Sequence, residues 1–481
     1  MNSKISQLPE SGMNKPEILD RMKSYGINDA NYHDSRTWSL VYYLGEEHTE
    51  LLKEAYNLYF SENGLSPIAF QSLKRFESEI IRMTATMLNG DKNVVGAITS
   101  GGTESCLLPV IASRDRARSI KKHMVGKPNM IAPESIHVAW RKAAHYFGVK
   151  LMEVPIDKDY RADVDAVKKL INRNTVLIVA SAPSYPHGVV DPIEDLGAIA
   201  RQHNIPLHID SCLGGFLLPF VEKLGYDIPK WDFRVPGVTS ISADVHKYGF
   251  SAKGASTILY RNMEYMQHQL FVYTDWSGGI YASPALLGTR PGGAIAAAWA
   301  GMMALGEHGY LNNARIIMET TKKIQDEINS IPELEVVGKP HTGVFAYRSI
   351  SKDINIYALG DQLEERGWNI DRLQSPKGLH AMVTPKHAEI VDQFIADLKQ
   401  SIQYVHSHPG LSSKGNAAMY GMIANLPLRG MIKNEVMKMM QDMYGPDGKL
   451  PFSASDAQQD PLIMRVAAKA LNTLDRFRKE K

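Results

Sequence analysis

Cysteine is nearly missing from this chain: 481 residues hold two, Cys106 and Cys212. No disulfide framework is expected, and a reducing compartment such as the cytoplasm fits. Charge of one sign is also missing, since 54 Lys and Arg face 52 Asp and Glu for a net +2. Nothing in that balance favours nucleic acid or another polyanion as a partner. Long hydrophobic runs are absent too. The longest, 294–305, is interrupted by Gly301 and falls well short of the roughly 20 residues of a membrane-spanning helix, so it reads as a buried helix. The segment 1–15 is polar and lacks the apolar stretch of a signal peptide. Neither an internal repeat nor a low-complexity tract is found. A soluble enzyme-sized chain with one large domain and one or two smaller parts is expected.

Strand-like runs at 150–154, 176–180, 206–210, 238–242 and 256–260 alternate with helix-like stretches such as 163–172 and 192–203. That alternation predicts an α/β fold with a largely parallel, covered sheet. The expected organisation is a mostly helical arm over 1–90 and a large domain over 91–310. A smaller α/β domain entered by a long helix follows over 311–408, then a C-terminal extension over 409–481 folded across the site.

The chemistry gathers where such strands end, the place at which open α/β sheets bind ligands. Ser242-Ala243-Asp244-Val245-His246-Lys247-Tyr248-Gly249 closes a small-residue strand with a His-Lys pair. A lysine there can condense with an aldehyde once its surroundings tune its pKa. Alone, the dipeptide is more often a surface lysine. Pro206-Leu207-His208-Ile209-Asp210 ends a strand in an acid, followed by Ser211-Cys212-Leu213-Gly214-Gly215-Phe216. That acid is either a helix cap or the partner of a protonated pyridine nitrogen. Ile98-Thr99-Ser100-Gly101-Gly102-Thr103-Glu104-Ser105 opens a helical pattern, offering amides and a hydroxyl to a phosphate. His137 opens another helix and could stack on a planar ring, whereas His145 reads as structural.

In this order the motifs resemble the fold-type I (aspartate aminotransferase-like) pyridoxal-phosphate enzymes of the group II decarboxylase superfamily. Within it, the sphingosine-1-phosphate lyase family is most similar. The resemblance also rests on Ser181-Ala182-Pro183-Ser184-Tyr185-Pro186-His187-Gly188, on Lys253-Gly254, on Gly288-Thr289-Arg290-Pro291-Gly292 and on Ala418-Met419-Tyr420-Gly421-Met422. It implies pyridoxal 5'-phosphate as cofactor, held by Gly102, Thr103, His137, Asp210, His246 and Lys247 with Gly288 and Thr289, and no metal. It implies retro-aldol cleavage of the C2–C3 bond of a phosphorylated long-chain base, giving a fatty aldehyde and phosphoethanolamine. Catalysis is expected from Lys247, Asp210, Tyr42, Tyr185 and Tyr420, and substrate binding from Lys253 with the same three tyrosines. Without the resemblance, each of these would read as one ordinary tyrosine among 21. A homodimer with shared active sites is implied, its glycine-rich 288–292 segment and its N-terminal Tyr42 both crossing to the partner. Eukaryotic members carry a membrane anchor, so this chain resembles the soluble, bacterial type.

Two departures bear on the substrate. Where the family has Asn, any residue, then Leu-His-Pro, this chain reads Asn63-Gly64-Leu65-Ser66-Pro67, losing a histidine that helps hold the substrate phosphate. Trp38-Ser39-Leu40 replaces a run of small residues before Val41-Tyr42, which predicts a bulkier pocket wall. The alternatives are a decarboxylase acting on an aromatic or acidic amino acid, against which Lys253 and Tyr420 argue, and a non-catalytic scaffold, against which Lys247 and Asp210 argue.

Overall fold

The computed structural model describes residues 7–120, 126–413, 415–425, 429–446 and 448. The far part of the expected C-terminal extension, 449–481, lies outside the described residues, as does the 1–6 start of the arm.

A seven-stranded sheet forms the centre, made of β1 (Val95–Thr99), β2 (Asn129–Pro133), β3 (Lys150–Val154), β4 (Thr175–Ser181), β5 (Leu207–Asp210), β6 (Val238–Ala243) and β7 (Ser256–Tyr260). Their spatial order is β1-β7-β6-β5-β4-β2-β3. Neighbours from β6 to β3 pair in parallel, and β7 alone runs against the rest, pairing antiparallel with both β1 and β6. The sequence did not reveal that reversal. Strands β2, β4, β5, β6 and β7 are buried along their whole lengths, as their Val, Ile and Ala content requires when helices cover both faces. After β5 the chain must turn tightly beneath its neighbours. A Cβ on Gly214 would lie 2.1 Å from the Ala182 carbonyl oxygen, so only glycine allows that approach.

The hairpin β8 (Phe271–Trp276) and β9 (Gly279–Ser283) stands off the body with Phe271, Val272, Tyr273, Trp276 and Ile280 exposed. The helix Gly292–Ser330 then leads out, broken at Gly306 where φ is 54°. Beyond it, β10 (Leu334–Val336), β11 (Val344–Ser349), β12 (Asp371–Gln374) and β13 (Lys377–Met382) form a four-stranded antiparallel sheet in the order β10-β11-β13-β12. Helices Ile356–Glu365 and Val391–Ser407 accompany it.

The N-terminal segment is stitched to this smaller unit. Trp38 N–H donates to the Asn369 carbonyl, and Met382 N–H to the Trp38 carbonyl. The Trp38 ring is buried and stacks on His387 at 4.4 Å, with Phe394 at 4.6 Å. Trp38 therefore fills the core of the smaller unit and does not line the cavity described below, contrary to the bulkier wall expected from sequence.

Candidate active site

Four strand ends and two helix starts converge on a cavity of about 180 Å³, lined by Gly102, Thr103, His137, Tyr185, Asp210 and Lys247 among others. Lys247 follows β6 in a short turn. Its Nζ lies 3.0 Å from Asp244 Oδ2, and Asp244 is itself buried and accepts from Ser256 Oγ at 2.5 Å. Burial disfavours the Lys247 ammonium, but the Asp244 carboxylate outweighs it and carries the pKa well above the ordinary lysine value. His246 beside it holds the Ala255 carbonyl oxygen through Nδ1 at 2.7 Å.

Asp210, at the end of β5, is no helix cap. The Trp140 indole N–H donates to its Oδ2 at 2.8 Å, the Cys212 amide to its Oδ1 at 3.2 Å and the Cys106 thiol to Oδ2 at 3.6 Å. Burial pushes the carboxyl up, yet the His137 imidazole and the Trp140 donor together bring it below the usual carboxylate range. An ionised acid there can keep a ring nitrogen protonated. His137 caps the helix Val138–Phe147, its Nδ1 accepting from Ala139 N–H at 3.2 Å. Burial lowers its pKa against the pull of Asp210. The thiols of Cys106 and Cys212 and the Asp210 carboxylate offer ligand atoms within 4.8 Å of one another, but burial pushes Cys106 up to about 11, which keeps that thiol protonated.

Gly102 and Thr103 begin the helix Gly102–Ile120, whose first-turn amides have no intrahelical acceptors. A Cβ on Gly102 would sit 2.5 Å from Asp244 Oδ2, so the helix start approaches the lysine turn only because no side chain intervenes. Glu104 fastens this turn: Ser100 N–H and Oγ both donate to its Oε2 at 2.7 Å, and Leu286 N–H to its Oε1 at 2.8 Å.

A second chamber of about 360 Å³ adjoins the first through His246 and is lined by Tyr42, Val41, Leu44, Leu52, Phe250 and Lys253 among others. Lys253 Nζ donates to the Leu40 carbonyl at 2.8 Å and stands 5.5 Å from the Tyr42 ring centre. Tyr42 packs edge-on against Tyr248 at 4.9 Å, and its hydroxyl meets Met382 Sδ at 3.1 Å. Tyr42 thus lines the second chamber of its own chain. Tyr420, on the helix Gly415–Asn425, lies 5.5 Å from Tyr357 and 5.8 Å from the Arg372 guanidinium; it lines neither chamber. Gly288 and Thr289 also line neither chamber of their own chain. Thr289 Oγ1 instead accepts from Asn63 Nδ2 at 3.4 Å, and Arg290 ties the same loop to Glu77 at 2.6 Å. Ser66 is exposed nearby.

Sequence reasoning missed Asp244, Trp140, Glu104, Asp371 and His380. The first had a signal, an acid three residues before the lysine. Trp140 had a weaker one, three residues after His137 on one helix.

Residues 50–350 match the pyridoxal-dependent decarboxylase conserved domain. Fold and site together define a pyridoxal-phosphate enzyme of fold type I. A sphingosine-1-phosphate lyase of Arabidopsis thaliana is 44% identical over 92% of this chain and 82% of its own length. Sphingosine-1-phosphate lyase 1 of Rattus norvegicus is 41% identical over 92% of this chain and 78% of that one. The solved structure of a Burkholderia pseudomallei sphingosine-1-phosphate lyase has a TM-score of 0.81 at 39% identity, covering 89% of this chain and 98% of that one. A Lactobacillus brevis glutamate decarboxylase, at 21% identity and a TM-score of 0.74, shares the fold. The chain belongs to the sphingosine-1-phosphate lyase family.

Its residues fit pyridoxal phosphate. Lys247 offers the amine, Asp210 an ionised acid in the same cavity, His137 a planar ring, and the Gly102–Thr103 helix start a place for phosphate. Among the described residues, no helix is long and apolar enough to cross a membrane.

Proposed function

We propose that this protein cleaves a phosphorylated long-chain base between C2 and C3, releasing a fatty aldehyde and phosphoethanolamine. Pyridoxal phosphate, once bound, supplies a ring able to accept the electron pair left at C2. Lys247 would anchor that group and be displaced by the substrate amine, Asp210 would hold the ring-nitrogen proton, and His137 would cover the ring face. The observation that carries the choice of substrate is the second chamber. It combines two lysines, Lys253 and a Lys53 paired with Glu50 at 2.6 Å, with the apolar walls Val41, Leu44, Leu52 and Phe250, and so matches a ligand with both a phosphate and a hydrocarbon chain. The amino acid of the decarboxylase reading would need only the first chamber.

Incubation with a phosphorylated sphingoid base, and in parallel with glutamate and aromatic amino acids, separates the two. Aldehyde with phosphoethanolamine supports the lyase, and carbon dioxide from an amino acid rejects it. Lys247→Ala should abolish either product.

The active form on this reading is a homodimer acting in the cytoplasm, in keeping with two free, buried thiols. Its 288–289 loop would reach the partner's cofactor phosphate, which accounts for that loop avoiding its own cavity and for the exposed apolar hairpin at 271–283. Sedimentation should give twice the 53.5 kDa chain mass. Mixing inactive Lys247→Ala with inactive Gly288→Glu chains should restore part of the activity; no recovery in proven heterodimers would reject sharing.

A further inference from the structure

Tyr185 is gripped from two sides by one cross-strand pair. Asp371 of β12 and His380 of β13 stand directly opposite each other. The Tyr185 hydroxyl donates to Asp371 Oδ2 at 3.3 Å. Its ring stacks on His380, with centroids 4.5 Å apart and planes 23° from parallel, while His380 Nε2 lies 2.7 Å from the Tyr185 carbonyl oxygen. That carbonyl can only accept, so Nε2 carries the imidazole proton, and burial holds the ring below the usual histidine range. The phenol is thus oriented at its hydroxyl, its face and its backbone.

The other two tyrosines lack this arrangement. Tyr42 meets a thioether and Tyr420 faces a guanidinium. Of the three, Tyr185 alone lines the chamber that holds Lys247. Asp371 is half-buried. Its neighbour Arg372 directs its guanidinium to Asp361 and Glu364, each at 2.6 Å.

We propose that Asp371 is a positioning residue that makes Tyr185 a proton relay for the cleavage step. The inference rests on the lyase reading above. The substrate C3 hydroxyl gives its proton to Tyr185 Oη as the phenol passes its own proton to Asp371 Oδ2. The O–H electron pair becomes the second bond of the aldehyde carbonyl, and the C2–C3 pair stays with C2. No oxidant or further reactant is needed, and Tyr185 is neutral before and after. Burial and the Asp371 carboxylate both raise the Tyr185 pKa, so a free-standing phenolate base is disfavoured at neutral pH. Transfer to Asp371 removes that obstacle.

Asp371→Asn keeps the shape and removes the acceptor. It should lower kcat about a hundredfold, at the low end for a general acid–base group, with KM little changed; Asp371→Glu should recover part of the loss. Tyr185→Phe should cost as much, and the double variant no more, because one relay fails once. A second readout does not depend on turnover. With 3-fluorotyrosine at position 185, fluorine NMR titration should give a lower phenol pKa in Asp371→Asn than with Asp371 present, the other facing groups, Tyr42, Lys247, His137 and His380, being retained. Unchanged kcat in Asp371→Asn, additive losses in the double variant, or an unmoved phenol pKa would overturn the relay while leaving the lyase reading intact. A wild-type protein that forms no aldehyde would overturn both.

Discussion

Asp244 governs the charge of the lysine that captures the cofactor, and Asp244→Asn tests that directly. Unit charges 3.0 Å apart attract by about 5 kcal/mol at an effective dielectric of about 20. The Lys247 side chain is 25% exposed, and water screens such a pair to about a third of that, roughly 1.5–2 kcal/mol. Removing the carboxylate charge should therefore lower the Lys247 pKa. The sign follows from the pair: the ammonium loses its counter-charge, and burial, which already disfavours it, is then unopposed. Asn retains an oxygen for the Ser256 hydroxyl, now 2.5 Å from Asp244 Oδ1, so the turn should survive. Only the neutral amine attacks an aldehyde. The pH midpoint for capture of pyridoxal phosphate, trapped by borohydride and counted by intact mass, should therefore fall. Capture at pH 7 should become about tenfold faster. A midpoint that stays put or rises would refute the electrostatic account of this turn.

Two further substitutions address the remaining charges. Asp210→Asn should keep some bound cofactor yet lose most turnover, because a neutral amide no longer holds the ring proton; wild-type turnover would contradict the role drawn from its Trp140-bonded carboxylate. Lys253→Ala should weaken a phosphorylated substrate by about ten- to a hundredfold, the equivalent of about 1.5–3 kcal/mol for a hydrogen bond to a charged group, with cofactor affinity unchanged. Unaltered kinetics for that substrate would remove the second chamber from the argument.

The site was legible where a strand announced itself and ended in chemistry. Asp210 and the His246-Lys247 pair follow an apolar and a small-residue run, and those runs became β5 and β6 within a residue of the expected bounds. Strand direction was not legible, because the run at 256–260 looks the same whether it enters a sheet parallel or reversed. Its direction depends on the connection 244–255, which contains no helix to carry the chain back across the sheet for a parallel return. The β8–β9 hairpin carried its signal in Gly278-Gly279 between apolar residues, but exposed apolar strands give no buried-face pattern to read. Trp38 was misplaced because proximity to Tyr42 in sequence suggested proximity to the cavity, whereas the backbone between them turns at Leu40, whose φ is 69°, and sends the two rings to different places. Asp371 and His380 could not be found from sequence. They meet Tyr185 only because the smaller sheet lays β12 and β13 against a loop far earlier in the chain, Tyr185 lying 186 residues before Asp371.

The central claim is that the bond broken lies between C2 and C3 and that C2 is then protonated. It is tested most directly by a turnover in heavy water with a phosphorylated sphingoid base, followed by mass spectrometry of both products. The account predicts fatty aldehyde and phosphoethanolamine in equal amounts, the latter carrying one deuterium on the carbon bonded to nitrogen. Phosphoethanolamine without that deuterium, or an intact phosphorylated base alongside carbon dioxide released from an added amino acid, would contradict it.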